Sequence, residues 1–247
     1  MNPSLVNRIR AGGGPPAHVA VIMDGNGRWA GRRGRRREYG HRAGVLALRD
    51  VVSAALEVQL PVLTVFAFSD ENWRRPPAEV TSLMSLLELH LRREVPELKR
   101  RGVCARVLGR TRRLPPRVRW AITLLERETR QGKAMRLNFA LSYGARREMA
   151  RAARRLAREV ADGRLDPEGI DEGRFAAHLY TEGLPDPELL IRTSGEHRLS
   201  NFLLWQTAHA RIRVSPLLWP DFSGKAFLEM ILDDQLRAGG NPPVSAA

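Results

Sequence analysis

His18-Val-Ala-Val-Ile-Met-Asp-Gly-Asn-Gly-Arg-Trp29 decides how the rest of the chain is read. Val19 to Met23 is an unbroken apolar run, as expected of a strand covered on both faces rather than one. It breaks abruptly into Asp24, Gly25, Asn26 and Gly27. Glycines directly after a strand let backbone N–H groups approach an anion closely, and a helix starting there would add its positive end. Asp24 at the strand's carboxyl end is placed to hold Mg²⁺, a hard ion that takes one or two carboxylates and completes its shell with water and phosphate oxygens. The same residues also make an ordinary turn. The glycine spacing is neither that of a Walker loop nor that of a dinucleotide fold.

Outward from this stretch, short apolar runs alternate with longer segments of helical period. Strands are expected at His18 to Met23, Val62 to Phe68, Ala105 to Leu108, Arg136 to Ser142, Leu189 to Arg192 and Ile212 to Val214. Helices are expected near 42–58, 79–100, 116–130, 145–162, 173–180 and 225–237. That alternation predicts one α/β domain over 18–237, with a mainly parallel sheet flanked by helices. The ends, 1–17 and 238–247, are rich in Gly, Pro and small residues and read as flexible tails. In the 79–100 segment, Val80, Met84, Leu87, Leu91, Val95 and Leu98 make a broad apolar stripe. It suits either packing on the sheet or the wall of a groove for a greasy ligand.

The chain has 247 residues, 41 basic and 27 acidic, for a formal charge of +14. All basic residues except Lys99, Lys133 and Lys225 are arginine, whose planar fork suits phosphate and carboxylate. Such a balance seeks anions, and nucleic acid, diphosphates and anionic lipid all qualify. No apolar run approaches the ~20 residues of a membrane span, and Met1 to Ala17 lacks the apolar region of a secretory signal. A single cysteine, Cys104, suits a reducing cytoplasm.

Three further clusters carry chemistry. Gly31-Arg-Arg-Gly-Arg-Arg-Arg37 followed by His41 lacks the interleaved aromatics of a base-stacking surface, so no nucleic-acid partner is expected. Its closeness to the glycine turn favours clamping a small anion. The strand ending at Phe68 runs into Ser69-Asp-Glu-Asn-Trp-Arg-Arg-Pro76, at the end of the sheet where open α/β proteins place ligands. The strand ending at Arg192 runs into Thr-Ser-Gly-Glu-His-Arg-Leu-Ser200, which supplies a second anion-binding set. Two basic loops bearing serine or glycine suggest two phosphorylated groups side by side, and so transfer between two diphosphates.

HVAVIMDGNGRWA, GHRAG, FAFSDENWRRP, LSYGARREM, PELLIRTSGEHRLSNFLLWQ and LLWPDF resemble, in order and spacing, the motifs of the cis-prenyltransferases, the undecaprenyl diphosphate synthase family. The resemblance covers about residues 17 to 232. It implies a homodimer with a six-stranded sheet and a hydrophobic tunnel between sheet and helices. It also implies Mg²⁺-dependent condensation of isopentenyl diphosphate with an allylic diphosphate to give Z-prenyl diphosphates. By resemblance, Asp24 is the essential catalytic and metal-binding aspartate. Gly25, Asn26, Gly27, Arg28, Trp29, Arg37 and His41 belong to the allylic site, and Arg192, Arg198 and Ser200 grip isopentenyl diphosphate. Ser69, Asn72, Trp73 and Arg75 lie on a loop that closes over the substrates, with Ser69 and Asn72 assisting turnover. A lipid-soluble product and an arginine-rich surface together suggest peripheral membrane contact.

One position departs from the pattern. Where the family reads like Ala-Tyr-Ala-Glu, with the glutamate aiding Mg²⁺, this chain has Ala208-His-Ala-Arg211. A cation in place of a carboxylate reverses the local field and is expected to weaken that metal site, unless Arg211 neutralises a diphosphate itself or turns outward. It motivates an alternative: irregular coupling of dimethylallyl units, of the lavandulyl or cyclolavandulyl type. Ser142 and Ala145 stand where Asn and Gly are common, and Asp70 adds a charge to the loop.

Overall fold

A computed structural model describes residues 3–238. The chain runs α1 (Pro3–Ala11), β1 (His18–Ile22), α2 (Asn26–Gly31), α3 (Arg37–Glu57), β2 (Val62–Ser69), α4 (Pro77–Arg100) and β3 (Val103–Leu108). It continues with α5 (Pro116–Thr129), β4 (Met135–Tyr143), α6 (Ala145–Ala161), α7 (Glu172–Ala176), β5 (Leu189–Arg192), β6 (Arg211–Val214) and α8 (Gly224–Ala238). The strands form one parallel sheet in the order β3-β4-β2-β1-β5-β6.

Residue parity explains the unbroken apolar runs. Val19, Val21, Leu63, Val65, Leu137, Phe139, Leu189 and Ile191 point to the face covered by α1, α3, α4, α5 and α8. Ala20, Ile22, Ala140 and Leu190 point to the other face, against Phe202, Leu203 and the start of α6. Cover on both faces leaves the inner strands no solvent side, hence no polar alternation, whereas edge strand β6 alternates Arg211-Ile-Arg-Val214. Each fully buried branched side chain contributes about 1.5–3 kcal/mol. From β1 the sheet grows one way through β2 and the other way through β5, so the order reverses at the carboxyl end of β1. In open α/β sheets that reversal is where a ligand crevice opens, and Asp24 follows β1 directly.

The six expected strands are present, but three helical features differ. The segment read as a flexible tail over 1–17 is helical over Pro3–Ala11 because Leu5, Val6 and Ile9 fall on one side and are buried against α8. Gln235 Nε2 donates to the Ile9 carbonyl at 3.2 Å, and Arg10 Nη2 to that of Glu57 at 2.8 Å. The helix expected from residue 42 starts at Arg37, which puts His41 in its second turn rather than at its opening. The helix expected over 173–180 ends at Ala176. The carboxyl-terminal tail expected over 238–247 lies, past Ala238, outside the described residues.

Candidate active site

Asp24 leaves β1 held from two sides. Thr193, just past the end of β5, accepts from the Asp24 amide at 2.9 Å and donates to the Asp24 carbonyl at 2.7 Å. The carboxylate Oδ2 accepts from Arg192 Nη2 at 2.8 Å, with Arg28 Nη2 at 3.4 Å. Burial alone would raise this carboxyl, but hydrogen bonding to Arg192 and the charges of Arg192 and Arg28 outweigh it and hold the group below its usual range. Asp24 is therefore ionised at neutral pH. Gly25 has φ 110°, a left-handed conformation, and a Cβ there would lie 3.0 Å from the Leu218 backbone. Both facts require glycine at this turn.

The arginines fall into two kinds. Arg192 is 3% exposed, and besides Asp24 it donates to Ser200 Oγ at 2.6 Å and to the Arg198 carbonyl. It is thus a positioning residue that orients Asp24 and folds the 193–200 loop. Arg28 donates to Ser194 Oγ at 2.5 Å and Ser194 O at 3.2 Å. Arg37 and Arg198 reach outward, their side chains more than half exposed. Arg37 and Arg75 share Glu79, at 3.6 and 2.8 Å. Burial, then the charge of Arg75, with a smaller push from Arg37 and an opposing pull from Glu79, brings His41 down to about 4. His41 is neutral at pH 7.

On the β2–α4 turn, Ser69 and Asn72 brace each other. The Ser69 amide donates to Asn72 Oδ1 at 3.0 Å, and the Asn72 amide to Ser69 Oγ at 3.2 Å. These residues, with Gly25, Asn26, Gly27, Arg28, Arg37, His41, Arg75, Arg192, Arg198 and Ser200, line one cavity of about 660 Å³ around Asp24. Five guanidinium groups face it against two carboxylates, Asp24 and Glu71.

Two tryptophans expected in the site lie outside that cavity. Trp29 donates to Asp221 Oδ1 at 2.6 Å and stacks on Tyr39. Trp73 donates to Ser142 Oγ at 2.9 Å and packs edge-on against Phe68, behind the turn. Arg211 is also placed elsewhere. Its register partner is Leu189, at the opposite end of β5 from Arg192, and it pairs with the fully buried Asp234 of α8 at 2.9 Å. Arg213 reaches the same carboxylate at 3.0 Å. Neither reading open for Arg211, neutralising a diphosphate or turning outward, is observed: it is ion-paired to an interior carboxylate away from the Asp24 cavity.

At Met23, Asn26, His41 and Ala67 the polar cavity meets a second one of about 770 Å³, which extends between α3 and α4 over the sheet. Leu83, Leu87, Leu91, Phe68, Leu137 and Phe139 supply apolar wall. The α4 stripe serves both uses that its spacing allowed: Met84 and Val95 pack in the core, while Leu83 and Leu87 face the cavity. Gly44 and Trp219 were not singled out from the sequence. A Cβ on Gly44 would sit 2.3 Å from Asn26 Oδ1, and the Gly44 carbonyl accepts from Trp219 Nε1 at 2.8 Å. The signal lay in the quoted GHRAG and LLWPDF segments, whose spacing gives no partner.

As to metal, two carboxylates face this arginine-rich cavity: Asp24, ionised and a third exposed, and Glu71, which accepts from the Asn201 amide. Among the described residues no three His, Cys, Asp or Glu side chains cluster to hold an ion. This donor set fits Mg²⁺ shared between Asp24 and substrate oxygens, and does not fit an all-protein cage.

An arginine-lined mouth on a greasy cavity, at the switch point of a parallel sheet, defines a protein built for a ligand with an anionic head and an apolar tail. The chain belongs to the undecaprenyl diphosphate synthase family of prenyltransferases: the family model described as "Putative undecaprenyl diphosphate synthase" matches residues 22–238. An isoprenyl transferase of Brucella abortus is 47% identical over 235 residues, 94% of this chain and 92% of that protein. Two crystal structures have the same fold, each covering 90% of this chain and 95% of theirs. Lavandulyl diphosphate synthase from Lavandula x intermedia, in complex with dimethylallyl diphosphate, has TM-score 0.86 and 36% identity. A probable undecaprenyl diphosphate synthase from Campylobacter jejuni has TM-score 0.73 and 33% identity.

Proposed function

We propose that this chain condenses isopentenyl diphosphate with an allylic diphosphate to give Z-prenyl diphosphates. The observation that carries the reading is the junction at Met23, Asn26, His41 and Ala67 between an arginine-lined cavity and an apolar one of about 770 Å³. A diphosphate seated on the polar side directs its hydrocarbon tail into the apolar side. Ionisation of the allylic C–O bond puts negative charge on the leaving diphosphate. Arg28, Arg37 and Arg75 are poised to stabilise that charge, the kind of term that dominates such catalysis. Asp24 would hold Mg²⁺, which would supply further neutralisation of diphosphate charge. Arg192 keeps Asp24 ionised and oriented. The apolar walls exclude water from the allylic cation until the double bond of isopentenyl diphosphate attacks and a proton is lost.

The test is incubation with labelled isopentenyl diphosphate and allylic primers of several lengths, with Mg²⁺ and with chelator. Metal-dependent Z-prenyl diphosphates are expected, and no product with any primer rejects the reading. Irregular coupling is the second reading, favoured by the likeness to lavandulyl diphosphate synthase. Dimethylallyl diphosphate alone then gives a branched or cyclic product, whereas the first reading gives none. The resemblance also makes a homodimer the expected assembly, measurable by sedimentation. No helix among the described residues is long and apolar enough to cross a membrane.

A further inference from the structure

The β2–α4 turn has two sides. Ser69, Asn72 and Arg75 face the substrate cavity, while Asp70, Trp73 and Arg74 wall a second hollow of about 510 Å³ that adjoins it at Glu71 and Asn201. The facing wall is α6, with Arg146, Arg147 and Arg154, and Arg113 adds a fifth guanidinium. Arg147, Ala150 and Arg154 fall on one side of α6 by their spacing, and the small Ala150 between the two arginines leaves the floor open.

The charges of this hollow are unbalanced. Asp70 takes Arg147 at 2.6 Å, and Glu71 takes the Asn201 amide at 2.9 Å. Arg113 lies over the Trp73 ring, 4.4 Å from its centroid. Arg74, Arg146 and Arg154 have no ion pair among the described residues. Arg49 and Arg211, by contrast, are matched by Glu94 and Asp234, whereas Arg93 at the apolar cavity has no ion pair among the described residues. Unmatched guanidinium groups converging on a concavity focus a positive field and present forked donors to a compact polyanion.

We infer that this hollow, which adjoins the substrate cavity at Glu71 and Asn201, is a second anion site for a small pyrophosphate-class anion. Its occupancy acts on the catalytic turn, because Trp73 and Arg74 lie on the same turn as Asn72 and Arg75. An anion bridging Arg74 and Arg113 to Arg146 and Arg154 ties that turn to α6.

The test titrates inorganic pyrophosphate calorimetrically into chain whose substrate cavity is saturated with non-reacting substrate analogues. One further pyrophosphate per chain is expected in the wild type and none in the double variant Arg113→Ala/Arg154→Ala. Turnover of that variant at saturating substrate stays within two-fold of wild type, which also shows that it folds. Amide exchange over residues 70–75 slows on pyrophosphate addition in the wild type only. No residual binding, binding that survives in the double variant, or unchanged exchange overturns the inference. Phosphatidylglycerol vesicles distinguish the source: displacement of bound pyrophosphate assigns the site to a lipid headgroup, and no displacement assigns it to the free anion.

Discussion

At the scale of single residues, the site turns on how one carboxylate is kept charged. Asp24→Asn removes the charge but keeps the shape, and leaves Arg192 buried beside a neutral amide. Turnover is expected to fall at least 10²- to 10³-fold, the usual range for loss of one electrostatic contributor, with melting temperature changed far less; a steady-state assay beside a thermal melt checks both. His18 is buried with both ring nitrogens engaged. Pro185 O can only accept, so Nδ1 carries the proton at 2.7 Å, and Nε2 accepts from Thr64 Oγ1 at 2.7 Å. Thr64 accepts in turn from Asn138 Nδ2 at 3.0 Å. Burial brings His18 down to about 4, the hydrogen bond to Pro185 opposing. In the unfolded chain it titrates near 6.5. The unfolded state therefore takes the proton first as pH falls, so stability is full above 6.5 and drains away toward 4, by roughly 3 kcal/mol. Urea unfolding at pH 7 and pH 4.5 should show this loss, and His18→Gln should shrink it. None of this was legible beforehand, because His18 reads from sequence only as the first residue of a strand.

At the scale of elements, close approach between helices shapes the polar cavity. Gly44 of α3 lets Asn26 of α2 and Trp219 come within van der Waals reach. In Gly44→Ala the new methyl meets Asn26 Oδ1, so Asn26 must move; overpacking of this kind costs about 1–3 kcal/mol. A lower melting temperature together with a raised KM for the allylic diphosphate is the expected signature. Between β6 and α8, Arg211 and Arg213 neutralise Asp234 in the interior. Arg211→Glu would set two carboxylates together there and is expected to cost about 3–5 kcal/mol, seen as an early urea transition. Strands were readable to within a residue or two because double-sided burial writes itself as an apolar run. Helix α1 was not, because Leu5, Val6 and Ile9 gain their burial from α8, some 220 residues away along the chain.

For the whole molecule, the division between a charged mouth and an apolar interior ties chemistry to architecture. Most of the residues lining the polar cavity are readable from sequence, since loops after parallel strands converge at a switch point whatever their separation along the chain. Trp29 and Trp73 lie outside the polar cavity because each indole N–H finds a partner distant in sequence, Asp221 or Ser142, that motif spacing does not reveal. The apolar interior admits a direct check. Leu87→Trp puts an indole into the cavity beside the sheet, and shorter prenyl products with an undiminished first condensation are expected by chromatography; an unchanged length distribution would show that the tail does not travel there.

Because all six strands run the same way, their carboxyl ends and the substrate mouth share one end of the sheet. Cys104 lies at the start of edge strand β3, toward the opposite end, partly exposed. A maleimide linker on that single thiol would tether every molecule in one orientation, with its entrance turned toward the bulk liquid, so that a biosensor surface could be built without redesigning the sequence.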